Sequence, residues 1–120
     1  MRLDFTVNGP PKPWQRTQGK GGKRFKAQET RRYQRFVGYA ALAVRGAQVP
    51  AWPLDARYRM HVHAFFGDRR RRDIDNVSKQ LMDALNGVLW DDDSQVDELF
   101  VKRHVDREEP RAEVTVEVMS

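Results

Sequence analysis

Between residues 57 and 66 every second side chain is apolar, with Tyr58, Met60, Val62, Ala64 and Phe66 on one face and Arg57, Arg59, His61, His63 and Phe65 on the other. A period of two sustained over this length belongs to a strand with one buried face. That face needs a cover, and the next periodic stretch supplies it: over about 75 to 87, Val77, Leu81, Ala84, Leu85 and Val88 recur at helical spacing. An earlier helix is expected over about 28 to 48, with Tyr33, Phe36, Val37, Ala40, Ala41, Val44 and Ala47 as its apolar stripe and Val49-Pro50 as its stop. Alternation frames the chain at both ends. Leu3, Phe5 and Val7 make a first strand that stops at Asn8-Gly9-Pro10-Pro11. A strand over about 96 to 105 turns at 106 to 110 into a last one that points Ala112, Val114, Val116 and Val118 inward. The order β-α-β-α-β-β predicts an α+β fold, a single domain with a mixed sheet and two helices packed on it.

A chain of 120 residues has room for one core and no second, so residues 1–120 are expected to form a single domain. Its least structured part is a basic loop over about 9 to 26, rich in Gly and Pro, that carries no acidic residue and is expected to be flexible. In that loop Arg16, Lys20, Lys23, Arg24 and Lys26 are candidate DNA-binding residues, with Trp14 and Phe25 available to stack on bases. The segment is no nucleotide-binding P-loop, because Thr17 stands where the first Gly belongs. No nucleotide cofactor is therefore expected.

Lys and Arg number 22 against 17 for Asp and Glu. The resulting basic balance suits a polyanionic partner. The longest uninterrupted apolar run, residues 39 to 44, is far too short to span a bilayer, so no membrane partner is expected. The absence of cysteine removes thiolate metal sites and a Cys nucleophile, and fits a cytoplasmic protein.

The chemistry is concentrated in two acidic clusters that flank the second helix: Asp73 and Asp75 before it, within Asp-Arg-Arg-Arg-Arg-Asp-Ile-Asp-Asn, and Asp91-Asp92-Asp93 after it. Asp73 and Asp75 stand two apart where extended chain meets a helix start, so both carboxylates can reach one cation. A loop returning toward the sheet can bring Asp93 to the same rim. Hard oxygen ligands without His or Cys select Mg²⁺, with Mn²⁺ as a substitute, and suit phosphodiester hydrolysis. Lys79 lies one turn after Asp75, where its ammonium can meet a scissile phosphate. Arg69, Arg70, Arg71 and Arg72 set a positive patch beside the acids, and Asn76 adds a polar DNA contact or supports the cluster. Each feature also has a plain reading: a helix cap for Asp75, an arginine pair for Asp73, an i,i+4 partner for Lys79, a solvated turn for Asp91 to Asp93.

The core from Asp68 to Asn76, Lys79, and the Asp-Asp-Ser-Gln-Val after Trp90 resemble the RusA Holliday-junction resolvases of bacteria and their prophages. The match is specific from Asp68 to Val96. It implies a homodimer that nicks two strands of a four-way DNA junction symmetrically, in DNA repair and recombination, with Asp73, Asp75 and Asp93 as the essential metal-binding acids and Lys79 as the essential lysine. The family pattern has two acids before x-Gln-Val, and this chain has three, so Asp92 stands beside Asp93 as a possible ligand. Two rivals accompany this expectation. One is a non-catalytic protein that binds branched or single-stranded DNA; the other is a nuclease of the same fold that acts on flaps or forks.

Overall fold

The computed structural model describes residues 1–13 and 22–119, those at 22–27 by their backbone alone. The elements run β1 (Arg2–Asn8), α1 (Gly22–Gln48), β2 (Arg57–Phe66), α2 (Ile74–Leu85), a short 3₁₀ turn (Asp93–Gln95), β3 (Val96–Val105) and β4 (Arg111–Met119). They form one four-stranded mixed sheet in the order β1-β4-β2-β3. The expected α+β architecture is therefore the one observed.

Three pairings build the sheet. β4 lies antiparallel to β1, with Phe5 opposite Val114, and antiparallel to β2, with Val62 opposite Val114. β3 lies parallel to β2, with Val62 opposite Val101. A parallel neighbour cannot be reached by a hairpin, and α2 is the crossover that makes the return. The alternation in sequence becomes alternation in burial: Tyr58, Met60, Val62 and Ala64 are fully buried beside Leu3, Val7, Ala112 and Val116. On the helical side Val37 and Ala41 of α1 meet Val77, Leu81 and Leu85 of α2 in the same core.

Two expectations change. α1 begins at Gly22, inside the segment expected to be a loop to about residue 26; the run Lys-Arg-Phe-Lys-Ala holds no breaker and extends the helix by propensity. The apolar stripe of α1 is also narrower than expected, since Phe36 is 50 % exposed and Ala47 is exposed. The sheet offers α1 a face only wide enough for the line through Tyr33, Val37 and Ala41.

Candidate active site

β2 ends at Phe66, and the turn that follows is organised by Asp68. Its carboxylate accepts from the Arg70 amide at 2.9 Å and from the Arg72 guanidinium at 2.8 Å. The Arg72 guanidinium, then the Arg70 amide, hold its pKa down to about 2. Arg72 also lies 4.6 Å over the Phe66 ring, so it is half-buried and tied to the fold. Arg69, Arg70 and Arg71 are exposed. The run thus divides into one anchoring arginine and three presented to solvent. Arg16 and Lys20 lie outside the described residues, and of Lys23, Arg24 and Lys26 the structure describes only the backbone on the first turns of α1.

Asp73 occupies the N-cap of α2 in extended geometry, yet its side chain makes no capping bond. Its carboxylate is exposed, as are Asp75 and Lys79 further along. The helix start is secured instead by its own backbone, with the Asn76 amide donating to the Asp73 carbonyl at 3.1 Å and the Ser78 hydroxyl donating to the Asp75 carbonyl at 2.8 Å. Asn76 is half-buried in this first turn.

After α2 the chain is pinned by aromatic burial. Trp90 is fully buried and donates to Asn86 at 2.9 Å, while Trp52 donates to the Leu89 carbonyl at 2.8 Å. The three acids that follow then part ways. Asp91 is exposed. Asp92 caps the 3₁₀ turn: its carboxylate accepts from the Ser94 amide at 2.9 Å, and the Asp92 amide donates to the Gln95 side chain at 2.8 Å. Gln95 in turn donates to the Leu54 and Ala56 carbonyls at 2.9 Å each. The Gln of the Asp-Asp-Ser-Gln-Val stretch is therefore the fastener that ties the acidic loop to the segment before β2.

Asp93 is half-buried and turns toward α2, where it meets Asp83. Burial, and then the neighbouring Asp93, raise the Asp83 pKa, while Lys79 lowers it. Asp83 is a neighbour of the acidic loop that the sequence reading missed. The signal was present, since Asp75, Lys79 and Asp83 follow one another at steps of four and share a helix face. The same spacing separates the clusters: eight residues of α-helix span about 12 Å, so Asp93 meets the far end of the helix from Asp73 and Asp75. Among the described residues no three His, Asp or Glu side chains converge closely enough to hold a metal ion. The donor chemistry of the acids suits Mg²⁺, but a single chain does not assemble the expected three-acid set.

The histidines also find a place. His63 Nδ1 and His104 Nε2 are 2.8 Å apart on the outer face of the sheet, a pairing that depends on the parallel β2–β3 register and so was hidden in the sequence. Partial burial, then His63, lower the His104 pKa.

Exposed arginines in the turn before α2, beside carboxylates on its face, give this α+β domain a surface whose charge suits a phosphate-bearing polymer. The particular family is given by comparison: the family model described as "Endodeoxyribonuclease RusA" matches residues 8–117. The chain belongs to the RusA endodeoxyribonuclease family. No curated protein matches it. No helix among the described residues is long and apolar enough to cross a membrane.

Proposed function

We propose that this protein is a Mg²⁺-dependent endonuclease that acts as a homodimer and resolves four-way DNA junctions by paired, symmetric nicks. The observation that carries the reading is the family match over residues 8–117, which takes in both acidic clusters and the arginine turn. The exposed face of α2 supports it. Asp75 and Lys79 stand there beside Arg69, Arg70 and Arg71, an arrangement that draws DNA to acids which alone would repel it.

In this reading the arginines, with Arg72 as their anchor, grip the backbone, and Lys79 offsets negative charge on the phosphate undergoing attack. Asp73, Asp75 and Asp93 are the metal-binding acids. Bound Mg²⁺ supplies activation of water and charge neutralisation at phosphorus. Asp92 is better employed as the cap of the 3₁₀ turn than as a ligand.

The test compares a synthetic four-way junction with linear duplex of the same sequence, using wild type and Asp75→Asn, each with Mg²⁺ and with EDTA. Junction-only nicking that is lost with EDTA or the substitution, while junction binding persists, is the expected result. Tight junction binding by wild type without any cleavage overturns the reading in favour of a non-catalytic branched-DNA protein.

A further inference from the structure

The solvent side of α1 changes character along its length. Arg31, Arg32 and Arg35 lie exposed first, and Phe36, Tyr39 and Leu42 lie exposed beyond them. Packing does not require that second, apolar stretch, since Tyr33, Val37 and Ala41 already hold the helix to the core. Tyr39 is nevertheless 68 % exposed. The two stretches border two connected hollows. A groove of about 380 Å³ between the helices is walled by Tyr39 and Leu42 of α1 and by Ala84 and Val88 of α2, with Gly38 between them. A second cleft is lined by Gln28, Arg31, Arg32 and Arg35. Arg31 and Arg35 border both, so an apolar slot opens directly onto a cationic one.

We propose that the α1–α2 groove seats an unstacked nucleotide from the crossover of the junction, with its base against Tyr39 and Leu42 and its flanking phosphates on Arg31 and Arg35. An apolar ring joined to an anion matches the two hollows taken together. Aromatic faces stack on any base while cations follow the backbone, which is how single strands are held. Asp83 and Gln34 also line the groove and bring polar groups to the edge of the base. The charge needed for this is available here. On the outer face of the sheet Arg2, Arg57, Arg59 and Arg111 are engaged by acids of the same chain, whereas among the described residues no acid pairs with Arg32 or Arg35.

The inference deepens the endonuclease reading and rests on it. The Gln34 amide donates to Gln80 of α2 at 2.9 Å, which holds the groove against the helix that carries Asp75 and Lys79. Asp83 follows Lys79 by one turn, about 6 Å along α2, so a strand whose phosphate meets Lys79 enters the groove close by. A four-way junction can offer an unpaired base at its crossover, while linear duplex keeps its bases stacked. The groove therefore favours the branched substrate.

A junction carrying 5-iodouracil at the nucleotides around its crossover, irradiated with the protein in EDTA, tests the placement. Cross-linking to Tyr39, mapped by mass spectrometry and absent with linear duplex, is expected. Two variants test the consequence. Tyr39→Ala removes the stacking wall. Gly38→Met fills the slot from its floor, where a Cβ meets only ordinary contacts, 3.6 Å from the Ala84 oxygen and 3.8 Å from Val88. Each is expected to weaken junction binding roughly tenfold, the loss of one base stack, and to leave binding to linear duplex as in wild type. Thermal melts by circular dichroism check the folding of both, and the exposed position of Tyr39 makes Tyr39→Ala decisive if Gly38→Met melts early. Wild type that cuts junctions, gives no cross-link at Tyr39 and is matched by both variants overturns the nucleotide seat and leaves the endonuclease reading standing. Wild type that cross-links through Tyr39 and never cuts overturns the endonuclease reading and keeps the seat.

Discussion

Replacing Gln95 by Ala removes the fastener of the acidic loop, and the structure allows its cost to be worked out. Three hydrogen bonds disappear: those to the Leu54 and Ala56 carbonyls and the one from the Asp92 amide. The Leu54 carbonyl keeps a second donor, the Asp91 amide at 3.0 Å. The Asp92 amide lies in an exposed segment where water can replace its partner. The Ala56 carbonyl, half-buried, loses the most. At about 1 kcal/mol for a typical bond, discounted for these two replacements, the expected loss is about 2 kcal/mol. For a domain of this size that lowers Tm by roughly 8 °C. Urea unfolding at neutral pH, followed by circular dichroism, measures it. Gln95→Glu is expected to lose as much, since a carboxylate cannot donate to the two carbonyls and adds charge beside them. Junction cleavage is expected to fall in both variants, even below their melting range, because the loop positions Asp93. A loss under about 0.5 kcal/mol with full cleavage would refute the reasoning that Gln95 holds this loop.

The acids should separate by role. Asp92→Ala is expected to cost about 1 kcal/mol through removal of the cap and to retain cleavage, whereas Asp93→Asn keeps its stability and abolishes cleavage; paired urea melts and nicking assays distinguish them. Asp68 gives a pH signature. Its folded pKa of about 2 lies below the ordinary 3.8, so its contribution is full above the unfolded value and is lost as pH falls through the folded one. Asp68→Asn is therefore expected to be less stable than wild type at pH 7, with the two converging toward pH 2 in a series of urea melts. Removing Arg69, Arg70 and Arg71 together is expected to flatten the dependence of junction affinity on salt, by about 0.9 in log–log slope for each DNA phosphate left without its arginine. Titration by fluorescence anisotropy at several salt concentrations reads that slope directly.

Periodicity made the strands legible. β2 begins and ends where alternation and the flanking Gly67 say it should, because a half-buried strand imposes a strict period on its side chains, whereas β3 is largely exposed and shows no such period. The second helix was nearly as clear, and it closes at Leu85 because the backbone turns extended at Asn86, ahead of Gly87 with its positive φ of 78°. The sheet order was not legible, since the partners of β4 depend on contacts between distant residues. The same reason hid the His63–His104 pair and the exposure of Phe36. At the site, residue types and spacing singled out Asp73, Asp75, Asp93 and Lys79 only as candidates beside plainer readings, and the resemblance to the RusA family gave them their roles. Spacing along the chain did not reveal that Asp93 turns toward Asp83, two helical turns from Asp75, and it left Asp92 and Asp93 undivided until the 3₁₀ turn gave Asp92 its capping bonds.

The central claim is that two active sites act together on one branched substrate. It is met most directly by a supercoiled plasmid that extrudes a cruciform, incubated with the protein and Mg²⁺ and sampled early. Paired cuts within one binding event convert the supercoiled form straight to linear DNA, with both ends mapped to symmetric positions across the cruciform, and this is the expected result. Accumulation of nicked circles with no early linear product, or equal cutting of a plasmid without the cruciform, would contradict the account and point to a nuclease that treats each strand independently.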